Sequence, residues 1–256
     1  MTTPATFPLH RRHPFWKLAR IEAVLLGRTP QAVIWMAVLP IAAIIVLSSL
    51  HGTTVPNQAF GGLSALDVYL PIIMVFSLVM SAIVSLPGVL TTYREKGILR
   101  RFATTPVPRS YVLGAQAVIY LGIGVAVDVI LFVIAIASGA EVPGDIGGFI
   151  LSLLLVALVT LGIGLLVTAL APSARVAQAI GGVLLFPLMF FAGLWVPRST
   201  MSPALRTISD YSPLGAGVRA VQASIGGQWP AAAALLVMVG YTIVCGAIAV
   251  RMFRWE

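Results

Sequence analysis

The chain has 256 residues, 59% hydrophobic and only 9% charged, with a mean hydropathy of +1.01 and a net charge of +8. A soluble globular domain carries roughly 25% charged residues because its surface must face water, so this composition excludes an ordinary soluble domain and points to a chain solvated by lipid. The single cysteine, Cys245, lies in an apolar run and rules out both a disulfide framework and a Cys-based metal site. Positive charge on this scale would suggest nucleic acid in a soluble protein; in a membrane protein its position along the chain matters more.

In chain order, the first thirty residues carry His10, Arg11, Arg12, Lys17, Arg20 and Arg28 without a clean apolar core ending in a small-residue cleavage site. No cleavable signal peptide is expected, and the first span serves as its own insertion signal. Residues 14–28 read as an amphipathic interface helix, opened by Pro14. Leu18, Ile21 and Leu25 follow helical spacing, Lys17, Arg20 and Arg28 carry charge, and Trp16 suits the headgroup zone. A basic anchor that only fixes topology and a docking element are both compatible with that pattern.

Six segments are long and apolar enough to span about 30 Å of hydrocarbon: 31–50, 68–90, 110–138, 147–171, 176–197 and 230–251. Asp67 reads as the N-cap of span two, with Pro71 one turn in, and Pro40 and Pro87 are candidate kinks. Gly122, Gly124, Gly162, Gly164, Gly181 and Gly182 suit close helix packing in lipid. Leu-Gly-Ile-Gly recurs at 121–124 and 161–164, too short an echo to indicate a repeat.

Basic residues set the topology. Thirteen lie before span one, between spans two and three, at the turn between spans four and five, or after span six. Three (Arg198, Arg206 and Arg219) lie on the other side, all in the long segment 198–229, and segments 51–67 and 139–146 have none. The positive-inside rule makes the rich side, and both termini, cytoplasmic. Segment 198–229 is too long and apolar for a solvated loop, yet Pro203, Pro213 and Gly215 break a full span. Such pieces are tolerated at membrane depth when packed on protein or lining a cavity.

Several chemistries are excluded. The two lysines precede Leu18 and Gly97, so no Gly-Lys-Ser/Thr exists and the chain is not a P-loop ATPase. No His-Glu-x-x-His or Gly-x-Ser-x-Gly occurs, and His10, His13 and His51 fall outside the spans. Asp128, towards the outer end of span three, is the one clear ionisable residue within a span. A relay or substrate contact stands beside snorkelling or a hydrogen bond to Ser or Thr of a neighbouring helix; proton-coupled carriers usually gather several such groups, which favours the structural role.

The most informative stretch is 91–108. It carries Arg94, Glu95, Lys96, Arg100 and Arg101 with Ile98, Leu99 and Phe102, and ends at Pro106 and Pro108. Read as a short helix, it places Glu95, Leu99 and Phe102 near one face. A solvated topology loop and a partner surface both fit. Glu95, Gly97, Leu99, Phe102, Thr105 and Pro106 form a pattern that resembles the loop after the second span in type-2 ABC exporter permeases, with Ile98 and Phe102 as departures from the commonest residues. Phe186-Pro187-Leu188-Met189-Phe190-Phe191-Ala192-Gly193-Leu194-Trp195-Val196-Pro197, followed by Met201 to Arg206 and Tyr211 to Leu214, is similar to that family's fifth span and outward hairpin; Ser212-Pro213 stands where Asn-Pro is common.

The resemblance implies an all-α membrane protein: one transmembrane domain over 1–256 with six spans, the interface helix, a coupling segment at 91–108 and a re-entrant helical hairpin at 198–229. It implies a non-enzymatic subunit of an exporter in the cell membrane of a bacterium, binding no cofactor itself. ATP and Mg would sit on a separate cytoplasmic ABC ATPase, two copies per complex, with a second permease subunit completing a homodimer or a dimer of close paralogues. Glu95, Gly97, Leu99, Arg100, Arg101 and Phe102 would couple to the ATPase, so that replacing Glu95 or Gly97 uncouples hydrolysis from transport. Spans two and five would line the path, offering Phe76, Met80, Phe186, Met189, Phe190 and Trp195 to an amphipathic or apolar substrate such as a drug, polyketide, lipid or lipid-linked glycan. Multidrug efflux and antibiotic resistance follow as expected roles. An ion-coupled carrier using Asp128 and a non-transporting assembly or receptor component are the alternatives; no contact with nucleic acid is expected.

Overall fold

The computed structural model describes residues 33–57, 62–98 and 109–252, together with Arg20, Val24 and Gly27. Of the interface helix expected at 14–28, only those three isolated residues are described, all helical and exposed. Every regular element among the described residues is helical. In order these are α1 (Ile34–Ser49), α2 (Ala65–Glu95), α3 (Arg109–Ala137), α4 (Ile146–Leu170), α5 (Ala174–Ala192), the short α6 (Pro203–Tyr211) and α7 (Pro213–Ile225), and α8 (Ala232–Met252). Five of them, α2, α3, α4, α5 and α8, are long and apolar enough to cross a membrane, and α1 is a shorter apolar helix.

Side-chain caps set most of the helix starts. Ser173 and Asp145 accept from the backbone N–H of Val176 and Gly148 and so open α5 and α4. The opening of α2 differs from expectation. Its N-cap is Ser64, whose hydroxyl accepts from Asp67 N, so the helix begins one turn before the expected start. Asp67 is the third residue of the first turn, and its Oδ2 accepts from the Ser64 hydroxyl. Its other oxygen accepts from Glu141 N at 3.0 Å, which fastens the α3–α4 loop to the start of α2. At its far end, α5 stops at Ala192 instead of running to 197. Gly193 adopts φ +94, and Gly193 N and Leu194 N donate to Phe190 O and Met189 O, a Schellman closure that a glycine allows.

Pro40 and Pro87 each follow a π-helical segment, Ile34–Val38 in α1 and Met80–Ser85 in α2. A proline removes the bond to the carbonyl four residues back and crowds that carbonyl. For Pro87 that residue is Ile83, inside the π segment, and Leu86 N donates instead to Ser81 O, five residues back. Widening the turn absorbs the misfit where neighbouring helices can meet the freed groups.

Those neighbours meet α2 through glycines. It is the most enclosed span, packed against every other long helix but α8. A Cβ on Gly164 of α4 would lie 1.9 Å from Ala82 O, and one on Gly181 of α5 would lie 2.6 Å from Ile83 O. Gly124 of α3 meets Leu78, and Ser81 Oγ donates to Tyr120 O at 2.6 Å. Helix α2 is therefore the central post of the bundle, and α5 and α8 are largely peripheral. The pair α6 and α7 fills the space between α5 and α8, with α7 packed on α4, α8, α5 and α2.

Candidate functional site

The end of the bundle that carries Arg94, Glu95, Lys96 and Arg175 holds the start of the expected coupling segment. Glu95 is the last residue of α2, and Gly97 N returns to Arg94 O at 3.0 Å. Gly97 has φ +65, a left-handed conformation that favours glycine, and it breaks the helix. The helix that carries Glu95 therefore ends at that residue. Leu99, Arg100, Arg101 and Phe102 lie outside the described residues.

Arg94 and Glu95 both point back onto the bundle. Arg94 Nη2 donates to Ala171 O, the C-cap of α4. Glu95 accepts through Oε1 from Ala174 N, the first residue of α5, at 3.0 Å. The turn between α4 and α5 thus receives a cation at the carbonyl end of one helix and a carboxylate at the amide end of the next, each matching the helix dipole. A motif reading finds Glu95 but not its partner, which is 79 residues away.

The six path candidates separate. Phe186 and Trp195 are 61% and 55% exposed and stack on each other, with ring centroids 6.2 Å apart. Phe190 is half-buried and meets Phe191 edge to face at 5.3 Å. Phe76 is half-buried against the core. Met80 and Met189 are buried inside it, at 3% and 0% exposure. Within this chain, then, an apolar face is open on the α5 side at Phe186 and Trp195, and the methionines are packing.

Asp128 is buried between α3 and α2, where it pairs with Ser77, whose single hydroxyl proton is shared between Asp128 and Met74 O. Its second oxygen, Oδ2, is buried with no hydrogen-bond partner. Among the described residues, no group of three or more His, Cys, Asp or Glu is placed to hold a metal ion.

The opposite end holds a cluster that spacing alone does not single out. Asp210 of α6 pairs through one oxygen with Arg198 and with Arg219 of α7, the latter at 3.2 Å. Ser209 Oγ donates to Phe191 O at 2.6 Å, tying α6 to the last turn of α5. Asp145 N and Gly144 N donate to Ser224 O and Ile225 O, and Gln222 Nε2 donates to Val68 O, so α7 also holds the start of α4 and the start of α2 together. The sequence signal is three arginines and one acid in an apolar segment; that Arg198 and Arg219 meet Asp210, and Arg206 does not, needs the fold.

The chain matches the ABC-2 type transporter family over residues 13–225. No curated protein matches it. Five apolar helices of spanning length, a sixth shorter one and a family match covering most of the chain make it a multi-pass membrane protein. It belongs to the ABC-2 type transporter family, as a permease component that works with an ABC ATPase subunit.

Proposed function

We propose that the chain is the permease subunit of an ATP-driven exporter, paired with a second permease subunit and two ABC ATPase subunits, for an amphipathic or apolar substrate. The end carrying Arg94, Glu95 and Arg175 faces the cytoplasm, with both termini, an orientation that rests on thirteen basic residues against three; the resemblance puts the chain in the cell membrane of a bacterium. Segment 91–108 receives the movement of the ATPases when they bind ATP with Mg. Segment 198–229, whose short helices α6 and α7 pack between α5 and α8, closes the path on the outer side as a re-entrant hairpin.

The observation that carries the reading is the position of the coupling segment: it leaves directly from α2, the most enclosed helix, at the break made by Gly97. Force applied there reaches the centre of the bundle without passing through a peripheral element. The uncharged face at Phe186 and Trp195 supports an apolar substrate, and a second permease subunit on that face would enclose it.

The test is to express the chain with a candidate ABC ATPase, purify the complex, and measure ATP hydrolysis with and without rhodamine 6G as amphipathic probe. Co-purification with probe-stimulated hydrolysis, and ATP-dependent probe uptake into inverted vesicles that persists with a protonophore, are expected. Uptake that collapses with the proton gradient would establish the carrier reading instead. Failure of every ABC ATPase to associate would remove the exporter reading.

A further inference from the structure

We infer that Arg94 and Glu95 form an internal clasp that passes the movement of the coupling segment to α5 and through it to the outer hairpin, so that Glu95 works on the permease itself and not on the ATPase. The inference rests on the exporter reading above and assigns Glu95 a different partner within it.

Three observations lead to it. First, Arg94 and the exposed Glu95, at the end of α2, each bond back to the turn between α4 and α5. Glu95 caps Ala174 N at the start of α5, and Arg94 holds Ala171 O at the end of α4. Their opposite charges match the opposite ends of the two helices that meet there, so sliding α2 along the turn would mismatch both at once. Second, the contact continues up the helix pair. A Cβ on Gly88 would lie 3.1 Å from Gln178 Nε2, and Gly181 sits against Ile83 O. The last turns of α2 and the first turns of α5 are thus engaged along their length, and a push at residue 96 does not dissipate at one hydrogen bond. Third, α5 is fastened at its other end. Ser209 Oγ donates to Phe191 O, and Arg198, just beyond Gly193, pairs with Asp210 of α6.

A continuous set of contacts therefore runs from the Gly97 break, through 19 residues of α5, to α6. At 1.5 Å per residue that helix carries a displacement about 28 Å across the bilayer. The Phe186–Trp195 stack spans the end of the same element, so the movement alters the substrate face on its way. Gly97 marks the end of α2, and Arg94 and Glu95 before it are bonded to the bundle.

The test uses the full chain in complex with its ATPase in nanodiscs, with Cys245→Ser as background and a bimane on Ser199→Cys, an exposed position just beyond α5. Trapping with ATP and vanadate is expected to shift the bimane emission in the parent complex. Glu95→Ala should lose more than three quarters of that shift while ATPase co-purification stays unchanged and hydrolysis stays within about twofold. Glu95→Gln, which keeps an acceptor for Ala174 N, should retain most of the shift; Glu95→Lys should abolish it. Arg94→Ala should give an intermediate loss. The inference is overturned if Glu95→Ala keeps the shift, if it loses ATPase binding in proportion to the shift, or if the parent complex shows no shift. If the parent chain binds no ABC ATPase at all, the exporter reading falls and the clasp's role with it.

Discussion

Substituting Gly164 with alanine tests whether α2 is the post around which the bundle is built. A Cβ at this position would lie 1.9 Å from the carbonyl oxygen of Ala82 and 2.8 Å from its carbon. Carbon–oxygen contacts between close helices sit near 3.3 Å, so the helices must part by about 1.4 Å. Neither atom belongs to a side chain that can rotate away, so the backbone of the π segment or of α4 has to move. Overpacking of this kind costs about 1–3 kcal/mol, and the rigid neighbour places Gly164→Ala near the upper limit. Alanine's better helix propensity returns about 1 kcal/mol, leaving a net loss of about 2 kcal/mol. With roughly 2–4 °C per kcal/mol for a chain of this size, the melting temperature should fall by about 4–8 °C. Fluorescence-detected size exclusion of the detergent-solubilised chain after heating measures this. Gly182→Ala is the control, because a Cβ there meets nothing within 4 Å, and it should be neutral or slightly stabilising. A Gly164→Ala melting temperature equal to that of Gly182→Ala would refute the close approach.

Asp128→Asn should fold normally and leave ATP-driven rhodamine 6G uptake intact, because an amide can still bond to Ser77; a well-folded variant without uptake would revive the ion-coupled alternative. Ser77→Ala removes the one partner of a buried carboxyl and should destabilise by about 1–3 kcal/mol, read as a lower melting temperature. Met189→Ala, at a fully buried site, should cost about 2–5 kcal/mol. Trp195→Ala and Phe186→Ala should leave stability nearly unchanged and instead shift the rhodamine 6G concentration that half-stimulates hydrolysis; equal melting losses for all three would erase the distinction between packing and path. Asp210→Asn leaves Arg198 and Arg219 without their shared carboxylate. Partial exposure limits the loss to about 1 kcal/mol or less, but trypsin should then cleave faster at Arg198, Arg206 or Arg219, and an unchanged digestion pattern would show that the cluster does not hold α6.

What could be read from residue order, and what could not, follows from the solvent. Span positions were legible because twenty apolar residues have few other uses; the stop at Gly193 was not, because an apolar run that continues to Pro197 hides a single left-handed glycine. The start of α2 was misplaced by one turn because Ser64 and Asp67 are both competent caps, and Asp67 is drawn inward by Glu141, 74 residues away. The path residues were harder for a deeper reason. In water, the polar face of a helix marks which face is buried. In lipid, both faces are apolar, so periodicity does not distinguish Met80, which is interior, from Phe186, which is not. Glycine supplies a better reference, but only with the fold in hand. Gly181 and Gly182 are adjacent in sequence, about 100° apart on the helix, and one touches Ile83 O while the other touches nothing. Gly122 and Gly124 divide in the same way, with only Gly124 meeting α2. In each pair, the glycine that matters is the one facing α2, and for Gly164 and Gly181 the contact is with the carbonyls that Pro87 helps to displace. A proline in one helix and glycines 77 and 94 residues later in two others are therefore parts of a single packing solution. That solution holds the C-terminal half of α2 against α4 and α5, the same two helices whose meeting ends Arg94 and Glu95 close.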